Sequence, residues 1–287
     1  MSDTPSSADT SFSADILADP DVLTARLRVR PGTDVDLANY PTRLDVSGKA
    51  AKPVIAANAE AISELAYRLY AEGERKVLIV LQGMDTSGKD GTTAALFART
   101  PPLNVDVAAF KAPTKRELAH DFLWRVHREV PGAGRITVFN RSHYEDVLVA
   151  RVRGLSPPDV IEQRYTQIND FERLLAESGT TVLKFMLHIS RDAQAESLRE
   201  RLTDPEKFWK FNPGDLDDRA LWPDFMEAYR IMLERTSTPH APWHVIPSDK
   251  GKARKAAIGT LVRAALEKMD PQFPEQRYTL ADYGDAI

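Results

Sequence analysis

The chain has no cysteine among its 287 residues. Disulfides and thiolate metal sites are therefore excluded, and a reducing compartment suits such a composition. No apolar run approaches the ~20 residues needed to span a bilayer. The N-terminus lacks the basic-then-apolar pattern of a signal peptide. The expectation is a cytoplasmic protein with no membrane contact. Positive charge is not in excess: 38 Lys and Arg stand against 42 Asp and Glu, for a net charge of -4 and a pI of about 5.9. Binding of nucleic acid by bulk charge is disfavoured, so a polyanion site has to be a local basic patch. No HExxH-type spacing of His is present, nor a GxSxG elbow, nor an internal repeat.

What is there reads as alternating strands and helices. Met1 to Asp15 is rich in Ser, Thr and Asp and reads as disordered. Val29 to Ala51 reads as an irregular arm, and Ala56 to Glu74 as a helix with Ile62, Leu65, Ala66 and Leu69 on one stripe. Strands are expected at Lys76–Leu81, Val105–Phe110, Arg135–Asn140, Thr181–Ile189 and Trp243–Ile246. Thr114 and Glu117 form a capping box that opens a helix carrying Leu118, Phe122 and Val126. Further helices are expected over Gly88–Arg99, Tyr144–Val152, Val160–Glu177 and Lys255–Lys268, with Ser190 capping another that carries Ala195, Leu198 and Leu202. This alternation implies right-handed βαβ crossovers and a mostly parallel sheet, with ligands at the carboxyl ends of the strands. The expected division is a tail over 1–20, an arm and helix packing on the core over 21–75, a core over 76–275 with a lid at about 199–222, and a C-terminal tail over 276–287.

The most telling stretch is Gly83-Met84-Asp85-Thr86-Ser87-Gly88-Lys89-Asp90-Gly91-Thr92. Gly, four residues, Gly, Lys between a strand and a helix is the phosphate-loop spacing. Backbone N–H groups and the helix N-terminus attract phosphate, and Lys89 adds a mobile cation. Gly83, Gly88, Gly91 and Thr92, with Asn140, are expected to bind phosphate or nucleotide. Position 90 normally carries a Ser or Thr that binds magnesium. Here it is Asp, and a second carboxylate, Asp85, lies inside the loop. Both make sense as ligands of Mg²⁺ (Mn²⁺ being an alternative), a hard cation that bridges to phosphate. Asp85 could instead be a general base, and Asp90 a plain helix cap.

Phe139-Asn140-Arg141-Ser142-His143-Tyr144-Glu145-Asp146 begins where a strand ends. Arg141 can bind phosphate in bidentate fashion, while Glu145 and Asp146 add carboxylates or merely open a helix. Arg199 to Phe211 interleaves cations with aromatics. It reads as a lid that could place Arg201, Lys207 and Lys210 on a phosphoryl group, or as an exposed mixed-charge helix. Lys111 follows the second strand, within reach of a long anion, though a lone surface lysine reads the same way. The four Trp residues read as packing rather than as base-stacking platforms.

These segments resemble the second family of polyphosphate kinases, the polyphosphate:nucleotide phosphotransferases. The match lies in Leu81-Gln82-Gly83-Met84-Asp85-Thr86-Ser87-Gly88-Lys89-Asp90-Gly91, in Phe110-Lys111-Ala112-Pro113 and in Asn140-Arg141-Ser142-His143-Tyr144-Glu145-Asp146-Val147-Leu148. Asp204-Pro205-Glu206-Lys207 with Trp209-Lys210, and Ala241-Pro242-Trp243-His244-Val245-Ile246-Pro247, complete it. It runs from about Leu27 to Pro274; Phe208 stands where a His is expected. The resemblance implies a thymidylate-kinase-like P-loop fold, a three-layer α/β/α arrangement with a helical lid. It implies Mg²⁺-dependent transfer between inorganic polyphosphate and nucleoside mono- or diphosphates, in a homo-oligomer, dimer or tetramer. By it, Asp85, Lys89, Asp90 and Arg141 are essential, with Glu145 and Asp146 beside them. Lys111 would contact polyphosphate, and Arg201, Lys207 and Lys210 would belong to the lid. Glu145 resembles the class acting on both mono- and diphosphates, where an acid could hold an extra Mg²⁺. The rival readings are an ATP-dependent nucleotide kinase of the same fold and a non-catalytic P-loop module.

Overall fold

The computed structural model describes residues 14–284. Five parallel strands form one sheet: β1 (Lys76–Gln82), β2 (Val105–Ala109), β3 (Ile136–Asn140), β4 (Thr180–His188) and β5 (Trp243–Pro247), in the order β2-β3-β1-β4-β5. β1 is apolar on both faces because it is central and covered on both sides. Val77, Ile79 and Leu81 pack into one hydrophobic cluster and Leu78 and Val80 into the other. β2 is an edge strand, and Val107 is accordingly exposed.

In chain order the helices are α1 (Ala14–Ala18), α2 (Pro20–Leu27), α3 (Gly48–Glu72), α4 (Lys89–Leu96), α5 (Lys115–Leu118), α6 (Trp124–His127) and α7 (Val149–Val152). They continue with α8 (Pro158–Glu177), α9 (Arg191–Thr203), α10 (Gly214–Ala220), α11 (Trp222–Thr236), α12 (Gly251–Met269) and α13 (Leu280–Tyr283). Helices α3, α4 and α12 cover one face of the sheet, with Ile62, Leu96 and Ile258 in the same cluster as Ile79. Helices α8 and α11 cover the other, with Ile168 and Tyr229 in the same cluster as Val80. The parallel sheet is the one the alternating pattern implied, and the three α/β/α layers are those of the P-loop kinase architecture that the resemblance implied.

Several elements differ from the sequence expectation. Residues 1–13 of the expected tail lie outside the described residues, but from Ala14 the chain is helical, and Leu17 is fully buried. Helix α3 starts at Gly48 rather than Ala56, because Ser47 caps it by accepting from Ala50 N at 3.1 Å. Pro53 inside it removes one donor without ending the helix. The Thr114–Glu117 capping box forms, yet α5 stops after four residues. The Asp121 carboxylate accepts from Leu123 N at 3.0 Å, competing with helix continuation, and leaves Leu118 exposed. Tyr144–Val152 is a 3-10 turn, His143–Asp146, followed by the short α7. Helix α11 was not anticipated, although Phe225, Ala228, Tyr229, Met232 and Leu233 recur at helical spacing and are buried.

Candidate active site

The strands end at one edge of the sheet, and the sequence-marked segments leave from there. Leu81 pairs with Asn140 across β1 and β3, and with Phe185 across β1 and β4. The phosphate loop and the Arg141 turn are thus neighbours, locked further by Arg141 N donating to Leu81 O at 3.1 Å. Two non-glycine residues here, Thr86 (φ 68°) and Arg141 (φ 62°), hold left-handed backbone, a strain that persists only where surrounding structure imposes it.

A cleft of about 460 Å³ opens over the loop. Asp85, Gly88, Lys89, Asp90 and Gly91 form its floor; Lys111, Asn140 and Arg141 form one wall, and Arg201, Lys207 and Lys210 come from the lid side. These eleven of the expected site residues are brought together from four segments. Gly83 and Glu145 lie in a smaller adjoining crevice that shares Asp85 and Arg141 with the cleft. Thr92 is fully buried, donating to Gly88 O at 2.9 Å, and does not line the cleft. Asp146 also lies outside it. Its carboxyl sits 3.8 Å from both Arg125 and Arg164, and Arg125 in turn donates to the Lys111 carbonyl at 2.8 Å. Asp146 therefore supports the Lys111 turn from behind.

Charges in the cleft are paired across segments. Arg141 Nη2 donates to Asp85 Oδ1 at 2.6 Å, and Asn140 Nδ2 to Asp90 Oδ1 at 2.5 Å. Burial opposes ionisation of Asp85, but Lys89 and Arg141 outweigh it and hold its pKa below the usual carboxylate value. Burial lowers the Lys89 pKa, with Asp85 pulling the other way. Lys89 is curled onto its own loop, donating to Gly83 O at 2.6 Å and Met84 O at 3.2 Å. Burial pushes the Glu145 carboxyl up, against the pull of Arg141 and Lys89. Lys207 pairs with Glu200 and, at 3.1 Å, with Asp204.

Two residues at the site escaped sequence reasoning. Asp215 on α10 is buried and accepts from Arg201 Nη1 at 2.7 Å. Burial and the nearby charge of Asp85 raise its pKa to about 6, with Arg201 and Arg141 acting against the rise. Asp218, also on α10, lines the smaller crevice beside Glu145. Neither carries a local motif; only Gly214 before Asp215 hints at a special turn.

Among the described residues, no cluster of three or more His, Asp or Glu is arranged to hold a metal unaided. The oxygen donors on the cleft floor, Asp85 and Asp90, do suit Mg²⁺, which takes one or two carboxylates and completes its shell from phosphate and water. Glu145 lies in the adjoining crevice, which Asp85 also lines and Asp90 does not.

The motifs and their geometry coincide with one known family. The model of the family Polyphosphate kinase 2 (PPK2) matches residues 46–274. The chain belongs to the polyphosphate kinase 2 family. It is 47% identical over 254 residues to an AMP/ADP-polyphosphate phosphotransferase of Meiothermus ruber, covering 87% of this chain and 95% of that protein. It is 35% identical over 273 residues to an ADP-polyphosphate phosphotransferase of Rhodopseudomonas palustris, covering 88% and 93%. The crystal structure of Polyphosphate Kinase 2 from Arthrobacter aurescens TC1 superposes with a TM-score of 0.86 at 41% identity, over 90% of this chain and 94% of that one. The family match spans the loop, the Arg141 turn, the lid and β5, so every residue of the cleft lies within it.

Proposed function

We propose that the chain transfers the terminal phosphoryl group of inorganic polyphosphate to nucleoside mono- and diphosphates, reversibly. The observation that carries this reading is the distribution of charge in the cleft. Carboxylates sit on the floor at the loop, and Lys111, Arg141, Arg201, Lys207 and Lys210 enter from three other segments. A dense polyanion needs such a track of cations, while phosphoryl transfer itself needs positioning and neutralisation more than covalent chemistry. The acceptor's terminal phosphate oxygen forms the new P–O bond in line, and the bond to the next polyphosphate unit breaks. The products are an acceptor longer by one phosphate and a polyphosphate shorter by one. Arg141 neutralises charge at the reacting phosphates, and the lid cations hold the chain and exclude water. Lys89 does likewise from the loop once it leaves its backbone carbonyls.

Asp85 and Asp90 would hold Mg²⁺, which supplies charge neutralisation and a template for the phosphates. Glu145 would serve the monophosphate acceptor from the adjoining crevice. Absence of cysteine fits a cytoplasmic setting, and no helix among the described residues is long and apolar enough to cross a membrane. The expected homo-oligomer belongs to the same proposal.

The test is an assay matrix of AMP, ADP, GMP and GDP against long-chain polyphosphate, without ATP, run in both directions. Formation of ADP from AMP and of ATP from ADP is the expected result. Transfer supported by ATP but not by polyphosphate would replace this reading with an ordinary nucleotide kinase.

A further inference from the structure

Behind the phosphate loop lies a cation that no motif marks. Arg254, in the first turn of α12, is 6% exposed. Its Nε donates to Thr92 Oγ1 at 3.1 Å and its Nη1 to Ser248 O at 2.9 Å. The guanidinium thus ties the start of α4 to the segment leaving β5. Its Nη2 lies against the loop itself: a Cβ built on Gly88 would fall 2.1 Å from that nitrogen. A guanidinium can approach the loop this closely only because residue 88 has no side chain, and its φ of 93° independently favours glycine.

Charge balance sets Arg254 apart. The described residues contain four buried Lys or Arg: Lys89, Arg125, Lys184 and Arg254. Lys184 meets Glu172 at 2.6 Å, Arg125 lies 3.8 Å from Asp146, and Lys89 is attracted by Asp85. Arg254 has only a hydroxyl and a carbonyl, and burial alone acts on its pKa, lowering it to about 10. Its neighbours add to the imbalance. Lys255 approaches Gly91 from the same helix, and after burial the charges of Arg254 and Lys252 are what lower its pKa. A buried cation without a counter-ion is costly in the free protein. That cost is recovered where a ligand brings the missing negative charge.

We infer that Arg254 charges the phosphate loop from behind and that the oligophosphate bound in the cleft is its counter-ion. The inference rests on the reading of the cleft as a polyphosphate site. It makes Arg254 a positioning residue: it acts through the loop backbone and the local field, while Lys89 and Arg141 face the cleft.

The experiment uses the full chain and inorganic tripolyphosphate without nucleotide, so that no turnover is involved. Calorimetry gives the Kd and thermal melting gives the stabilisation on binding, for wild type, R254M, R254Q and R254K. R254Q can still donate a hydrogen bond but has no charge; R254K keeps the charge and loses the fork. The expected result is a Kd weakened about tenfold or more in both R254M and R254Q, equivalent to one lost charge-assisted contact. Their stabilisation on binding should shrink to match. R254K should stay within about threefold of wild type, and a shallower salt dependence should accompany R254Q. With saturating AMP, the KM for polyphosphate should rise more than kcat falls. An R254Q that binds tripolyphosphate as wild type does would overturn the inference and leave Arg254 a structural clamp. A wild type that does not bind tripolyphosphate would instead overturn the reading of the cleft.

Discussion

Arg141 and Asp85 meet at 2.6 Å and join the end of β3 to the phosphate loop. The pair lies where the cleft and its smaller neighbour touch, since both residues line both spaces. Its two members favour each other's charged forms. Loss of either should therefore strike the transition state harder than substrate binding. Asp85→Asn is expected to lower kcat by about 10²-fold or more, and Arg141→Lys, which cannot form a bidentate contact, by about 10- to 100-fold. Steady-state kinetics with polyphosphate and AMP, each varied separately, check this; an unchanged kcat in both variants would remove the pair from the reacting centre.

Asp146 predicts a different kinetic signature. It supports Arg125, and Arg125 holds the carbonyl of Lys111. Asp146→Asn should let the Lys111 turn drift while leaving the loop and Arg141 in place. The KM for polyphosphate is expected to rise about three- to tenfold with kcat largely kept. A fall in kcat at constant KM would place Asp146 in the chemistry.

Under the Arg141 turn lies a buried polar network. Lys184, inside β4, donates to Glu172 at 2.6 Å, to the Tyr144 hydroxyl at 2.8 Å and to Thr236 O at 2.7 Å. Tyr144 donates to Glu172 at 2.7 Å, and His143 lies 3.3 Å from the same carboxylate. Lys184, Glu172, Tyr144 and His143 are all fully buried. Glu172→Gln or Lys184→Met alone should cost about 3–5 kcal/mol by stranding a charge, and the double variant should recover part of it. Denaturant unfolding of the four proteins gives the coupling directly.

His244, buried in β5, governs one part of acid stability. Burial and then Arg28 lower its pKa from 6.5 to about 4. The native state keeps it neutral where the unfolded chain takes up a proton. Its contribution is fully present above about pH 6.5 and is lost as pH falls towards 4, on the order of 3 kcal/mol in total. His244→Gln should flatten the fall in unfolding free energy across that window; a slope equal to wild type would assign the loss to other groups.

The sheet and the loop were legible because each carries a local signal. Val77 to Leu81 is an unbroken β-branched and apolar run, and the loop spacing is fixed by backbone geometry. Eight of the eleven cleft residues could be named for the same reason: they follow the ends of β1, β2 and β3, where a parallel sheet must place its ligands, whereas Arg201, Lys207 and Lys210 were marked by cations interleaved with aromatics in the lid segment. Helix ends were less legible, since Ser47 and Asp121 act through side-chain hydrogen bonds that compete with propensity. Arg254 and Asp215 were not legible at all. Arg254 meets Thr92 across 162 positions of sequence, and only the packing of α12 against the loop brings them together. Thr92 was expected in the cleft because the loop pattern ends on it, but the hydroxyl turns inward to Gly88 and Arg254.

Lys89 is folded onto the carbonyls of Gly83 and Met84, so on the proposed reading of the cleft its capture of an anion is an exchange rather than an addition. The ammonium gives up two backbone partners as it gains a phosphate, so the heat of that contact is a difference between similar hydrogen bonds. Affinity then comes mainly from charge and from released water and ions, and should be steep in salt and shallow in temperature. On the same proposal, the loop's own carbonyls hold the lysine between contacts with successive units of a polymer that shortens by one phosphate per turnover.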